Sequence, residues 1–217
     1  MKKVYNAFNS KNKYPSSDDR LFKSDSDWSN NACLNWSHDK RILYIHGYKE
    51  AAGLLARHIE NKGESQDILI FPIIFLYRHY LELELKNIII DSHELIDSGA
   101  DVKLDHKISV LWQTCSQLLN KIDSTYPKEE LKQVGRLIRE FEQIDPLATA
   151  FRYPEDKVGK PSLPTEKLIN IRNVREVFEK IEFVLSCISC FVGERLAYKK
   201  DEQKQYELSS ESPNNGQ

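Results

Sequence analysis

Four ionisable side chains lie in the middle of the most apolar stretch of the chain, residues 68–90. Arg78, Glu82 and Lys86 follow one another at steps of four, a spacing that places them on one face of a helix, and His79 stands beside them. Charges in such a helix have to be paired or have to line a cleft, because stranding one partner of a buried pair costs roughly 3–5 kcal/mol. The pattern therefore predicts either a functional site or an internal ion-pair ladder that holds helices in register.

If this cluster is a functional site, its residue types suit acid–base chemistry on an anion. Arg78 and Lys86 would present positive charge to the anion. Glu82 would orient the two cations, and His79 would be available for proton transfer.

Two further segments carry residues that suit the same chemistry. His106 stands at the start of a predicted helix. Arg152 and Tyr153 lie in a loop, residues 147–164, whose prolines interrupt the helical periodicity. Long loops in compact domains are usually functional or disordered. We therefore expect this loop to contribute to the site.

The charge balance limits the kinds of partner that the protein can attract. The 217 residues include 31 Lys or Arg and 33 Asp or Glu, which gives a formal net charge of −2. No global field therefore favours nucleic acid or an anionic membrane, and a polyanion has to be bound by a local patch. The length predicts a single domain with a full core.

Several features predict a cytoplasmic protein. Residues 1–20 are polar, so we expect no signal peptide. Residues 68–90 could span a bilayer by length, but each charge at their centre would cost roughly 2.5–3.5 kcal/mol there. The four cysteines are few for the length, which is typical of a reducing compartment. We expect no membrane partner.

The sequence predicts no metal site and no cofactor. Cys187 and Cys190 have CxxC spacing, but a structural zinc site needs four ligands and no second pair follows. Both cysteines lie in an amphipathic helical pattern, so we expect them to pack in the core. His79 and Glu82 have metal-ligand spacing, yet a carboxylate-bridged di-iron bundle needs two Glu-x-x-His repeats.

The three-four spacing of apolar residues predicts an all-α fold, an antiparallel bundle of about five helices in residues 41–200. Residues 1–40 lack this spacing and are predicted to form an irregular arm, and residues 201–217 a disordered tail. The predicted helices are 41–62, 67–93, 105–122, 127–145 and 166–200.

Three sequence features together resemble HEPN-type proteins (higher eukaryotes and prokaryotes nucleotide-binding). They are the Arg-His-x-x-Glu-x-x-x-Lys strip from Arg78 to Lys86, His106 ahead of a Leu-Trp pair, and the Phe-Arg-Tyr-Pro sequence that contains Arg152. The resemblance covers residues 41–200. It implies a helical bundle and, in active members, a metal-independent endoribonuclease whose Arg-x(4–6)-His motifs from two subunits meet at a dimer interface. In such an enzyme the His acts as general acid or base on the ribose hydroxyl, and the Arg steadies the phosphate.

The chain departs from the family motif at the position of the histidine. Arg172 and Asn173 begin the motif on a late helix, but residues 177–179 are Val, Phe and Glu where a His would stand. The spacing from Arg41 to His46 satisfies the motif literally, although one such match is expected by chance. RNA cleavage would therefore use the strip around Arg78 instead, unless the chain keeps the fold without catalysis.

The resemblance implies RNA cleavage or RNA binding in a stress response or in anti-phage defence, by a homodimer. The candidate catalytic residues are His79, His106 and Glu82, and the candidate RNA or phosphate ligands are Arg78, Lys86, Arg152 and Tyr153. The alternative is a non-catalytic interaction protein, a regulatory partner of a protein encoded nearby, whose charged strip is structural. A nuclease should hold Arg78, His79 and His106 in a positively charged cleft, whereas an interaction protein should bury them as closed ion pairs.

Overall fold

The computed structural model describes residues 14–37, 39–97, 99, 102, 104–163 and 168–210. Within these residues the chain forms five α-helices and no strand, so the predicted all-α bundle is confirmed. The helices are α1 (Lys40–Lys62), α2 (Gln66–Leu95), α3 (Ile108–Ile122), α4 (Lys128–Ile144) and α5 (Ile171–Ser210).

The chain divides into two compact units, Met1–His38 and Asp39–Gln217. In the described part of the first unit, residues 14–37, the only helical element is a short 3-10 helix, Trp28–Asn30. Local side-chain hydrogen bonds hold this region, for example from Asn31 Nδ2 to the backbone oxygen of Asp25 at 2.6 Å. An irregular arm is what the sequence predicts here; residues 1–13 and 38 lie outside the described residues.

The first two helices form an antiparallel hairpin. Asp39 caps α1 by accepting a hydrogen bond from the backbone nitrogen of Arg41 at 3.0 Å. Gly63 ends α1 in the left-handed conformation, with φ 69°, and donates its N–H to the carbonyl of Ile59 at 2.7 Å. The connection to α2 is short, so the two helices lie side by side.

Helix α2 lies at the centre of the bundle, in contact with α1, α3 and α5. It buries apolar side chains around most of its circumference, as expected of a core helix. Examples are Ile73, Leu81, Leu85 and Ile88, none of which is exposed. A charge in the middle of α2 is therefore surrounded by packed helices. No helix in the described part of the chain is both long enough and apolar enough to cross a membrane.

Helices α3 and α4 pack closely through Trp112 and Gly135. A Cβ atom added at Gly135 would lie 2.5 Å from Nε1 of Trp112, so no larger residue fits there without movement. Helix α5 completes the core with the apolar seam that its sequence predicts. The buried members of the seam are Ile171, Phe178, Ile181, Leu185, Ile188, Val192 and Leu196.

The four largest differences from the sequence-based expectation concern α3, both ends of α5 and two cysteines. Helix α5 begins at Ile171 rather than 166. Helix α3 begins at Ile108 rather than 105. Helix α5 continues to Ser210, so the predicted tail is helical over 201–210; residues 211–217 lie outside the described residues. Cys187 and Cys190 are exposed, so the prediction that they pack in the core is wrong. In this turn of α5 the side chain that packs in the core is Ile188.

Candidate functional site

A stripe of four side chains runs along α2: Phe75, His79, Glu82 and Lys86. The successive steps of four, three and four residues keep all of them on one face of the helix. Arg78 lies at the edge of this stripe. Three other elements contact the stripe: α1, the turn before α3 and the loop after α4.

Glu82 connects the charged residues at one end of the stripe. Its Oε2 accepts a hydrogen bond from Arg78 Nη1 at 3.2 Å, and its Oε1 accepts one from Lys86 Nζ at 2.7 Å. The same Oε1 lies 2.8 Å from Nδ1 of His106. Arg78 is only 2% exposed and Glu82 only 7%. The structure thus brings three of the predicted site residues together around the buried carboxylate of a fourth, Glu82.

The backbone at His106 is held from two directions. The carboxylate of Asp105 accepts hydrogen bonds from the backbone nitrogens of His106 at 2.6 Å and Lys107 at 2.8 Å. Arg78 Nη2 donates to the backbone oxygen of His106 at 3.0 Å. The side chain of Asp105 thus stabilises the turn before α3. The helix therefore begins at Ile108 and not at Asp105, where the sequence predicts its start. The result is a fixed backbone that carries an imidazole.

The imidazole of His106 is 84% exposed although its partner Glu82 is buried. An ionised carboxylate only accepts hydrogen bonds, so Nδ1 of His106 carries the proton that points to Glu82. In the neutral ring Nε2 is then the atom with the free lone pair. Glu82 and His106 therefore form a carboxylate–histidine dyad, the arrangement that orients a general base.

The environment of Glu82 keeps it ionised. Burial alone disfavours the charged form, but hydrogen bonds from Lys86 and His106, with the charges of Lys86 and Arg78, outweigh it. The pKa of Glu82 is therefore held below its usual value. At neutral pH the dyad has a charged carboxylate with a fixed orientation.

His79 lies in an aromatic environment on the same stripe. Its ring stacks on Phe75, with centroids 5.9 Å apart, and meets the ring of Tyr48 edge-on at 4.4 Å. Burial lowers the pKa of His79, so the ring is neutral at pH 7. His79 thus packs between two rings at a half-buried position, whereas His106 is freely exposed.

The loop after α4 brings Arg152 to the other end of the stripe. Buried Asp145 organises this loop by accepting hydrogen bonds from the backbone nitrogens of Thr149 at 2.8 Å and Ala150 at 3.0 Å. Arg152 Nε donates to the backbone oxygen of Ala148 at 2.8 Å, and the guanidinium carbon lies 5.5 Å from the centre of the Phe75 ring. The loop is therefore built to hold Arg152 over Phe75.

The predicted site residues thus occupy two ends of one helix face. Phe75, next to Arg152, and Lys86, next to His106, are separated by roughly 16 Å along the helix axis. His106 joins Arg78, Glu82 and Lys86, while Arg152 and Tyr153 lie at the His79 end. A substrate that used both ends would have to be extended.

A depression of about 320 Å³ lies beside the dyad, between the start of α1 and the end of α2. Lys40, Arg41, Tyr44 and Lys86 are among its lining residues. Arg41 also pairs with Asp91 of α2, with Nη1 and Oδ1 3.2 Å apart. Sequence reasoning did not assign these α1 residues to the site. The antiparallel hairpin, with its glycine stop at 63, is the signal that brings the start of α1 to the end of α2.

No protein-family model, curated protein or solved structure matches the chain. Among the described residues, no group of three or more His, Cys, Asp or Glu side chains is arranged to hold a metal ion. The function therefore has to be inferred from the fold and from the geometry of the dyad and its surroundings.

Proposed function

We propose that the protein is a HEPN-like, metal-independent ribonuclease that uses the Glu82–His106 dyad. The observation that carries this proposal is the 2.8 Å contact between a buried, charge-paired carboxylate and an imidazole that is 84% exposed. A purely structural ion pair does not need an exposed histidine. A general base needs one that is both oriented and accessible.

The dyad suits the first step of RNA cleavage. Neutral His106 takes the proton of the ribose 2′-hydroxyl on Nε2, while Glu82 stabilises the imidazolium that forms. The 2′-oxygen attacks the adjacent phosphorus, and the bond from phosphorus to the 5′-oxygen breaks. The leaving oxygen takes a proton from water, and the imidazolium of His106 gives its proton to the hydroxide that results. The products are a 2′,3′-cyclic phosphate and a 5′-hydroxyl, with no metal in any step.

The geometry changes the roles that the sequence suggested for several residues. Arg78 is too deeply buried to meet a phosphate and acts as a positioning residue, because it holds both Glu82 and the backbone of His106. His79 packs between aromatic rings, which favours His106 as the acid or base. Lys86 is partly exposed and keeps its role as the cation nearest to the phosphate.

The depression beside the dyad supports RNA as the substrate. Its lining is mainly apolar and includes the exposed ring of Tyr44. Lys40 adds a positive charge at its edge, while Arg41 and Lys86 are paired with Asp91 and Glu82. Basic groups that follow a backbone, together with aromatic rings that accept bases, are the usual means of binding single-stranded nucleic acid. In a chain with a net charge of −2, such a local patch has to supply the electrostatic part of binding.

The proposed biological setting is the one that the HEPN resemblance implies, a stress or anti-phage response carried out by a homodimer. In such a dimer two dyads could cooperate, one as base and one as acid. A protein partner encoded nearby would then control the activity.

A second candidate function is that of a non-catalytic regulatory partner. The specific observation in its favour is the closed pairing of Arg78 and Lys86 with Glu82, which is the pattern expected of a structural ladder. Under this alternative the exposed ring of His106 is incidental.

Product analysis separates the two candidates. A single-stranded RNA and the same strand with 2′-deoxyribose at every position are incubated with the protein in EDTA. The nuclease proposal predicts cyclic-phosphate ends from the RNA and no cleavage of the deoxy strand, because the nucleophile is missing. Absence of cleavage of both strands, or equal cleavage of both, would contradict the proposal.

A further inference from the structure

We propose that the cavity at the first turns of α2 binds an unpaired nucleobase, which makes single-stranded RNA the substrate class of this protein. This inference rests on the proposed ribonuclease function and extends it to a second subsite. The cavity has a volume of about 830 Å³ and lies between α2 and the loop that carries Arg152 and Tyr153. Its size is within the usual range for small-molecule sites, and a nucleoside fits in it.

The walls of the cavity suit the faces of a base. Ile70, Phe71 and Phe151 supply apolar and aromatic surface, and Phe71 is partly exposed. Tyr153 lines the cavity with a ring that is 55% exposed. Because every base has an aromatic face, such rings bind unpaired bases with little dependence on sequence.

Arg152 adds a cation to this aromatic group. Its guanidinium carbon lies 5.4 Å from the centre of the Tyr153 ring and 5.5 Å from that of Phe75. The planar guanidinium stacks on rings and on bases, which a lysine ammonium does not do. The sequence suggested that Arg152 binds phosphate; its contacts with the two rings instead make it part of the aromatic group beside the cavity.

Polar groups are available for the edge of the base. Gln66 and Asp67, in the first turn of α2, also line the cavity. An amide and a carboxylate together offer donors and acceptors of the kind that read base edges. A base inside a duplex has its edge paired and its faces stacked, so it cannot enter the cavity. The site therefore selects unpaired bases.

The cavity and the dyad can act on one strand. Arg152 lies over Phe75, the first member of the stripe, and the same face of α2 leads past His79 to Glu82 and Lys86. A base held at Arg152 would anchor the strand while a phosphodiester a short distance along it reaches His106. The roughly 16 Å between the two ends of the stripe requires an extended strand.

The test is a set of binding titrations with labelled oligonucleotides. The probes are a 2′-O-methyl single-stranded RNA, which cannot be cleaved because the nucleophile is blocked, a 2′-O-methyl duplex, and single-stranded DNA. The proposal predicts that both single strands bind more tightly than the duplex. A duplex that binds as tightly as the single strands would overturn it.

Variants locate the binding energy. Tyr153→Ala should weaken binding of the single strand by roughly 5- to 100-fold, the usual worth of one stacked base, and Tyr153→Phe should bind like wild type. Arg152→Lys keeps the positive charge but lacks the planar guanidinium that stacks on a base, so it should also weaken binding. If Arg152 contacted only a phosphate, the lysine would preserve that contact. Phe183→Ala removes an exposed ring on the part of α5 that covers the core and is the matched control. If Tyr153→Ala and Arg152→Lys both bind the single strand like wild type, the subsite is not there.

The failure of this proposal is distinguishable from the failure of the ribonuclease proposal. Loss of affinity in Tyr153→Ala without any cleavage by wild type would support the subsite and contradict the nuclease. Cleavage that persists while the two variants bind like wild type would support the nuclease and overturn the subsite.

Discussion

At the scale of single residues, the charged strip combines the two interpretations that its sequence allows. Arg78, Glu82 and Lys86 are closed into ion pairs, as a ladder requires, and yet Glu82 also contacts the exposed ring of His106. The four-residue spacing predicts the contacts of Glu82 with Arg78 and with Lys86, because helical geometry is local. The contact to His106 depends on how the chain returns from α2 to α3, which no periodicity encodes. The position of Arg152 over Phe75 is equally hidden in the sequence, because the two residues lie in different elements.

Glu84 offers a test of the electrostatics of α2 that is independent of the site. It is buried between α2 and α5 with a hydrogen bond to Ser189, and burial raises its pKa to about 7. The folded pKa exceeds the unfolded value of about 4.3, so its contribution to stability is complete below that value and is lost as the pH rises to about 7. Glu84→Gln cannot ionise.

We therefore predict that Glu84→Gln has a higher free energy of unfolding than wild type at pH 8, by up to roughly 3 kcal/mol. At pH 4 the two proteins should have the same free energy of unfolding. Urea denaturation across this pH range measures the difference. Glu207→Gln, at an exposed position on α5, is the control and should follow wild type throughout. A pH-independent difference between Glu84→Gln and wild type would contradict the prediction.

Among the helices, the spacing of apolar residues predicts the positions correctly. The predicted boundaries are wrong where a side-chain hydrogen bond or helix propensity sets the end of the helix. Gly63 ends α1 as predicted, because the last turn closes with a residue in the left-handed conformation, which glycine adopts without strain. Helix α3 starts late because the carboxylate of Asp105 binds the turn before it. Residues 201–210 of α5 lack an apolar seam, but Glu, Gln and Lys favour the helix and extend it from a packed first half.

The loop after α4 depends on one buried carboxylate. Asp145→Ala would leave the backbone nitrogens of Thr149 and Ala150 without their acceptor in a buried setting. We predict a loss of roughly 1–3 kcal/mol in the free energy of unfolding, together with weaker single-strand binding because Arg152 is no longer held over Phe75. Thermal melts and the oligonucleotide titration measure the two effects.

The matched control is Asp156→Ala in the same loop. Asp156 also accepts two backbone hydrogen bonds, from Val158 and Lys160, but it is exposed and water can replace it. This variant should lose no more than a few tenths of a kcal/mol. Equal losses in both variants would show that burial of Asp145 is not what stabilises the loop.

At the scale of the whole molecule, α5 is longer than the core that it covers. No residue of α5 after Leu196 is buried, and residues 197–210 continue for roughly 20 Å. Tyr198, Tyr206 and Leu208 expose large apolar side chains on this part. The sequence predicts the seam of α5, and from it a homodimer, but the helix past residue 200 was found only in the structure.

We predict that the protein is a homodimer in which the end of α5 contributes to the interface. Light scattering at micromolar concentration should report twice the mass of one chain. The double substitution Tyr206→Glu and Leu208→Glu should shift the mass toward that of a monomer, because exposed apolar side chains are replaced by like charges. A wild-type protein that is monomeric at this concentration would contradict the prediction.

The ribonuclease proposal is tested most directly by the rate at which the purified protein cleaves a defined single-stranded RNA in EDTA. Wild type is compared with His106→Ala and with His58→Ala, which removes another exposed histidine, on α1. We expect wild type and His58→Ala to cleave at the same rate, and His106→Ala to be slower by a factor on the order of 10²–10⁴ at an unchanged melting temperature. Cleavage that EDTA abolishes, or a His106→Ala variant that cleaves as fast as wild type, would contradict the dyad mechanism.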